Sequence, residues 1–125
     1  MSTTTLAPVT FDWKKPTSLC MGRFQPWHRG HRTLFEQMLE KTGQVCIAVR
    51  DTHGTSSKDP FDFDTVRTNI IADLDPLYAG QYAIVQVPNI TGVFYGRDVG
   101  YVVEKITLPE DIEAISATAI RNGLV

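Results

Sequence analysis

Residues 17–31 read "TSLCMGRFQPWHRGH", and this stretch decides the fold of the chain. A short apolar run ends at Gly22, as a buried strand does, and a loop stiffened by a proline leads to a second glycine, Gly30. From Gly30 to Lys41 apolar residues return at helical spacing, and Gly43 stands where a C-terminal cap is expected. The pattern predicts a strand, a loop and a helix, with the loop at the carboxyl end of the strand.

The same alternation continues along the chain. Residues 44–50 are apolar and predict a second strand, and residues 64–74 predict a second helix with Asp64 as its N-cap. Apolar runs predict further strands at 82–88, 92–96 and 101–108, and a last helix is expected to begin near Ser116. Nearly continuous apolar strands that alternate with helices indicate a parallel sheet covered on both faces. We therefore expect a Rossmann-like three-layer α/β/α fold with a mostly parallel, five-stranded sheet.

Length and charge narrow the class of protein. A chain of 125 residues has the size of one domain, and we expect a flexible arm at 1–15 and the domain at 16–125. The formal net charge of −2 gives no overall basic field for nucleic acid, so any anion site must be local. No apolar stretch reaches the roughly 20 residues of a membrane span, and the N-terminus lacks the features of a secretory signal.

The two cysteines, Cys20 and Cys46, each lie inside an apolar run without a CxxC pattern. They predict buried thiols rather than a disulfide or a metal site. The interpretation is a cytoplasmic protein that binds neither nucleic acid nor a membrane.

The loop at 22–31 carries the first functional hypothesis. A glycine that opens a helix exposes backbone N–H groups and the positive end of the helix dipole, which together suit a phosphate group. His28 and His31 are three residues apart and could donate to one oxyanion. Taken singly, each histidine is more often a surface or capping residue, and a lone glycine is usually just a turn.

The loop also carries a resemblance. "GRFQPWHRGH" resembles the signature of the nucleotidylyltransferase superfamily, whose core HxGH is met by His28, Gly30 and His31. The middle stretch "SSKDPFDFDTVR" (56–67) is similar to that of the short nicotinamide mononucleotide adenylyltransferases, which also open their first motif with GRFQP.

A second motif lies near the C-terminus. "ISATAIR" (115–121) resembles the superfamily's ISSTxxR, with Ser116, Thr118 and Arg121 matching and Ala117 in place of a serine. Without the resemblance, Ser116 is an ordinary helix N-cap and Arg121 a solvated helix residue. The resemblance implies instead that Ser116 and Arg121 form a second anion site, which holds the β- and γ-phosphates and the departing pyrophosphate.

The resemblance implies a reaction in which a phosphate of an acceptor attacks the α-phosphorus of a nucleoside triphosphate and releases pyrophosphate. Such chemistry depends on positioning and charge stabilisation rather than on a protein nucleophile. The implied catalytic residues are His28, His31 and Arg121. The residues implied to hold the nucleotide are Gly22, Arg23, Phe24, Gly30, Arg50, Ser116 and Thr118. No protein metal ligands are expected, and Mg²⁺ is expected to arrive with the triphosphate.

Several alternatives stay open. ATP is the first choice of donor and CTP the second, and a non-catalytic nucleotide-binding module is the alternative to an enzyme. By position, Arg23 and Arg50 could each contact either the triphosphate or the phosphate of the acceptor. The chain ends at Val125 soon after the second motif, whereas similar enzymes usually continue with further helices, so residues 88–103 are expected to supply acceptor recognition.

Residues 92–108 hold more aromatic and β-branched side chains than a short sheet edge shows to water. They are the predicted interface of a homo-oligomer. The alternative is a monomer in which the arm, with Phe11 and Trp13, folds back over that edge.

Overall fold

The structure is a computed structural model, and it describes residues 11–51, 55–56, 59–97, 100 and 102–113. Strands β1 (Ser18–Gly22), β2 (Val45–Arg50) and β3 (Tyr82–Val87) alternate with helices α1 (Arg29–Thr42) and α2 (Phe63–Tyr78), followed by a short helix α3 (Glu110–Glu113). The first three predicted strands and the first two predicted helices are confirmed. Among the described residues, no helix is long and apolar enough to cross a membrane.

The three strands form a parallel sheet in the order β1-β2-β3. The register aligns Cys20 with Ile47 and Ile47 with Ile84, so these side chains lie on one face of the sheet. The central strand is the most buried, with Val45 and Ile47 fully excluded from solvent. Because all three strands run in the same direction, the loops after β1 and β2 meet at one edge of the sheet.

Helix α1 ends as its sequence predicts. Gly43 adopts the left-handed conformation with φ of 85°, and its N–H donates to the Leu39 carbonyl at 2.7 Å. Glycine takes this conformation without the steric cost of a Cβ. Phe35 and Met38 of this helix are buried against the sheet.

The N-cap of helix α2 lies two residues before the predicted one. Asp62, not Asp64, is the N-cap, and its carboxylate accepts from the Thr65 N–H at 2.9 Å. The helix also continues through Pro76 to Tyr78. Packing explains the extension, because the Tyr78 ring lies 5.4 Å from that of Phe35 and its hydroxyl donates to Glu36.

Both long helices cover the same face of the sheet. Cys20 and Ile47 share one core with buried side chains of α1 and α2, namely Phe35, Met38, Val66, Ile70 and Leu74. On the opposite face Leu19 is 58% exposed, and the described residues place no helix of α1's or α2's length over it. The expected third layer is therefore not confirmed within the described part of the chain.

The predicted fourth and fifth strands are not confirmed either. The described residues at 92–96 and 102–108 are in irregular conformation rather than in the sheet. Glu104 pairs with Lys41 at the C-terminal end of α1, and Ile106 packs on the core. The carbonyl of Ile112 lies near Gly30 at the other end of α1. This segment therefore runs along α1 without pairing in the sheet: Ile106 packs on the core, whereas Val102 and Val103 are exposed.

Part of the predicted arm lies within the described residues. The side chain of Gln44 accepts from the Asp12 N–H at 3.1 Å and donates to its carbonyl at 2.6 Å. The rings of Phe11 and Trp13 meet edge to face at 5.7 Å. These contacts place residues 11–13 beside the amino end of the sheet.

Candidate active site

The loop between β1 and α1 is organised around a buried phenylalanine. Phe24 is 4% exposed and has a positive φ of 54°, which is uncommon for a residue with a side chain. Its ring lies against Gly22, where a Cβ would stand only 3.2 Å from two ring carbons. Gly22 and Phe24 therefore shape the loop from within.

His28 and His31 cap helix α1 reciprocally. His28 is the N-cap, and its Nδ1 accepts from the Gly30 N–H at 3.0 Å. In return, Nδ1 of His31 accepts from the His28 N–H at 3.1 Å. The two imidazoles occupy the places that a serine and a glutamate hold in an ordinary capping box.

These hydrogen bonds determine the tautomer of both rings. A nitrogen that accepts carries no proton, so in the neutral ring the proton is on Nε2. Burial, and then the charge of His28, lower the pKa of His31 to about 3, and burial also lowers the pKa of His28. At neutral pH the pair therefore supplies two uncharged Nε2–H donors at the start of a helix.

Aromatic packing holds the two donors together. The rings of His28 and His31 are stacked, with centroids 3.9 Å apart and planes 25° from parallel. Trp27 stacks on His31 at 5.4 Å, and Phe24 meets His31 edge-on at 4.9 Å. His31 therefore contacts three aromatic rings, which restricts its rotation.

Trp27 is itself tied to helix α2. Its indole N–H donates to Oδ2 of Asp73 at 2.9 Å, while Arg32 donates to Oδ1 of the same carboxylate at 3.2 Å. Asp73 was not among the residues predicted from the sequence, because no motif marks it and it lies 42 residues beyond His31. From helix α2, the Asp73 carboxylate thus fixes the position of the Trp27 ring, which stacks on His31.

A second unpredicted residue, Gln25, ties the loop to the segment before α2. Its amide donates to the Phe61 carbonyl and accepts from the Phe61 N–H, both at 2.9 Å. Beside it, Arg23 pairs with Asp59 at 2.9 Å. The hydrogen bonds of Gln25 and Arg23 therefore act as a clamp between the GRFQP stretch and residues 59–61, and no local sequence signal marks these distant partners.

A cavity of about 310 Å³ lies beside the clamp, at the carboxyl end of β2. Arg50 lines it, together with Gln25, Phe61 and Gln86. Of the predicted residues, the structure thus brings Gly22, Phe24, His28, Gly30 and His31 together where β1 passes into α1, and it places Arg50 in the adjacent cavity. Ser116, Thr118 and Arg121 lie outside the described residues.

Within the described ranges, no group of three or more histidine, cysteine or acidic side chains is arranged to hold a metal ion. Both cysteines have free thiols; Cys20 is buried, and burial raises its pKa to about 11. That value disfavours the thiolate, the reactive form.

The protonation state of the pair can be checked by NMR. Because the folded pKa values of both rings lie below the ordinary value of 6.5, neither Cε1–H signal should move to the imidazolium position near pH 6.5, and the signal of His31 should keep its neutral-ring shift down to about pH 5. Long-range ¹H–¹⁵N spectra should show Nε2–H tautomers for both rings. The urea-unfolded chain, in which both rings should titrate near 6.5, is the control. If either ring became protonated near pH 6.5 in the folded chain, the assigned donor state would be wrong.

The linked stability effect has a defined sign. As pH falls below about 6.5, the unfolded chain binds protons that the folded chain does not. The free energy of unfolding should therefore decrease between pH 6.5 and pH 4. This decrease should be smaller in the His31→Asn variant than in the wild type.

Comparisons with known proteins find a matching family model and similar solved structures. Residues 19–65 match the family model described as cytidylyltransferase-like. A comparison with curated proteins gives no significant match.

Two crystal structures of a bifunctional NMN adenylyltransferase/ADP ribose pyrophosphatase from Francisella tularensis are similar to the chain. One, complexed with AMP and a manganese ion, is 29% identical with a TM-score of 0.52, and the similarity covers 59% of this chain and 23% of that one. The other is 27% identical with a TM-score of 0.56, and the similarity covers 59% of this chain and 22% of that one. The chain therefore spans less than a quarter of the length of these neighbours. The resemblance to nucleotidylyltransferases that the sequence predicts is confirmed, with residues 19–65 as its cytidylyltransferase-like part.

Proposed function

We propose that the chain is a nucleotidyltransferase that transfers AMP from ATP to a phosphate-bearing acceptor and releases pyrophosphate. The observation that carries this proposal is the stacked pair of neutral imidazoles at the start of α1. Their ring centroids lie 3.9 Å apart, and because each Nδ1 accepts a hydrogen bond, each ring keeps an Nε2–H donor. The similarity to an adenylyltransferase whose crystals contain AMP supports the choice of nucleotide.

In the proposed step, an oxygen of the acceptor phosphate forms a bond to the α-phosphorus as the bond to the bridging oxygen of the β-phosphate breaks. Negative charge grows on the non-bridging α-oxygens and on the leaving pyrophosphate. Nε2–H groups of His28 and His31, with the positive end of the α1 dipole, stabilise the first of these charges. The acceptor phosphate is already ionised at neutral pH, so the histidines need not remove a proton.

The remaining residues have supporting roles in this proposal. Gly22, Phe24 and Gly30 shape the loop so that the triphosphate approaches its backbone. Arg23 is available once a phosphate competes with Asp59 for its guanidinium, and Ser116, Thr118 and Arg121 hold the β- and γ-phosphates. Mg²⁺ enters with the triphosphate and neutralises part of its charge.

Two alternatives to this proposal stay open. The family model matched by residues 19–65 is cytidylyltransferase-like, which favours CTP as the second choice of donor. A non-catalytic nucleotide-binding module is the other alternative. The stacked imidazoles count against the module, because nucleotide binding alone does not require two neighbouring imidazole donors.

Pyrophosphate release separates these possibilities. The purified protein is incubated with Mg²⁺, each of the four nucleoside triphosphates, and either NMN or a panel of phosphorylated metabolites. We expect release with ATP and one acceptor, and a loss of about 100-fold in a His31→Ala control. Tight triphosphate binding without release from any combination would favour the module and contradict the enzyme.

The domain at 16–125, the flexible arm and a cytoplasmic location are retained as parts of the proposal. The proposal also includes a homo-oligomer that forms through residues 92–108. In this segment Phe94 is 93% exposed, and Val102 and Val103 are also largely exposed. A second copy is the simplest cover for such side chains. Light scattering at micromolar concentration should give a mass well above 14.0 kDa, and a monomer mass would contradict the oligomer.

A further inference from the structure

We propose that the cavity beside Arg50 is the acceptor pocket, and that it takes a small, hydroxyl-rich compound whose single anionic group pairs with Arg50. The inference rests on the proposed function and specifies the substrate class of the same site. It also decides between the two roles that the sequence left open for this arginine.

The size of the cavity limits the ligand. At about 310 Å³ it lies at the lower end of the range for small-molecule sites, which suits a phosphorylated sugar better than a large cofactor. Its walls come from the ends of β2 and β3, the start of α2 and the clamp. The lining residues are Gln25, Val49, Arg50, Asp51, Phe61, Asp62, Phe63, Asp64, Val66 and Gln86.

Arg50 supplies the reason for an anion. Its Nε is buried, and within the described part of the chain this nitrogen has no hydrogen-bond partner. An unsatisfied buried donor on a charged group is costly, and an oxygen of a phosphate or carboxylate would remove that cost. A guanidinium also presents donors in a fork that matches such an anion.

The carboxylates of the lining explain why only one anion is expected. Asp51, Asp62 and Asp64 all line the cavity. Hydrogen bonding from Thr65 lowers the pKa of Asp62, so this carboxylate is ionised at neutral pH. Ionised carboxylates accept hydrogen bonds and repel further negative charge. A triphosphate would be repelled here, whereas hydroxyl or amino groups would be bound.

The cavity is also in the right place. Gln25 lines it and is separated from His28 by only Pro26 and Trp27 in the same loop. The two hydrogen bonds between Gln25 and the backbone of Phe61 join the loop that carries the imidazoles to the wall of the cavity. An acceptor bound by Arg50 therefore lies next to the segment that holds the α-phosphate in the proposed reaction.

Binding measurements test the proposal without relying on turnover. Calorimetry is performed with ribose 5-phosphate, ribose and MgATP on the wild type, Arg50→Gln and Lys41→Gln. Lys41→Gln is the matched control, because it removes one positive charge at the opposite end of α1. We expect ribose 5-phosphate to bind at least about 10-fold more tightly than ribose, and Arg50→Gln to abolish that difference. MgATP affinity should stay within about twofold in both variants, which also shows that they are folded.

Three outcomes would overturn the proposal. The first is equal binding of ribose and ribose 5-phosphate by the wild type. The second is an Arg50→Gln variant that loses MgATP affinity, which would assign the arginine to the triphosphate. The third is an equal loss of ribose 5-phosphate binding in Lys41→Gln, which would indicate a general charge effect.

Failure of the proposed function would be seen separately. In that case the binding of ribose 5-phosphate would still depend on Arg50, but no combination of a triphosphate with an acceptor would release pyrophosphate. If transfer is observed, Arg50→Gln should raise KM for the acceptor about 10-fold or more and leave KM for the triphosphate unchanged.

Discussion

Replacing His31 by alanine should lower turnover by about 100-fold or more, the usual cost of losing a hydrogen-bond donor to charge that develops in a transition state. The side chain supplies one of the two Nε2–H donors. It also accepts from the His28 N–H and stacks on the His28 ring, so alanine loosens the second donor as well. The measurement is pyrophosphate release with the acceptor identified by the panel.

Alanine also removes half of the helix cap, which costs about 1 kcal/mol of stability. Two further variants separate this effect from chemistry. His31→Asn places an amide oxygen near the position of Nδ1, so it should recover the cap and the stability without recovering turnover. His31→Gln places an amide donor near the position of Nε2, so it should recover part of the turnover. If His31→Asn kept turnover within about threefold of the wild type, His31 would be only a cap.

The histidines show how far sequence reasoning reaches into this site. From the pattern, a catalytic pair and an ordinary cap were alternative interpretations of His28 and His31. In the structure one nitrogen of each ring caps the helix, and this bond directs the proton to the other nitrogen. The capping role therefore prepares the donor role, and spacing alone does not reveal that link.

In the fold, the features that depend on neighbouring residues could be predicted from the sequence, and those that depend on distant residues could not. Gly43 and the first three strands were predicted because their signals are local. Asp62 and Asp64 both satisfy the rule for an N-cap, and only the approach of the chain from Phe61 selects between them. The apolar run at 101–108 was predicted as a strand, because periodicity does not show whether a segment pairs with a sheet or packs on a core, and its described residues 102–108 form no strand. Asp73 and Gln25 were missed because their partners are distant in sequence.

Replacing Gly30 by alanine should lower turnover by about 10- to 100-fold while leaving stability nearly unchanged. A Cβ at this position would stand 2.8 Å from Cε1 and 3.0 Å from Nδ1 of His28, closer than van der Waals contact allows. The His28 ring must therefore move away, and its stack with His31 and its bond from the Gly30 N–H are both disturbed. The ring is the end of a flexible side chain, so the movement itself costs little.

Two contributions to stability then oppose each other. Alanine is favoured over glycine inside a helix by about 1 kcal/mol, and the loss of one capping bond costs about the same. We expect the Gly30→Ala variant to unfold at the same urea concentration as the wild type but to transfer nucleotide slowly. This result would show that Gly30 is needed to position the His28 ring rather than to stabilise the helix. Glu40→Ala is the control, because Glu40 is an exposed residue near the other end of the same helix, and it should leave both measurements unchanged. If Gly30→Ala instead retained full turnover, the His28 ring would tolerate displacement, and the charge on the α-phosphate would depend on His31 and the helix dipole alone.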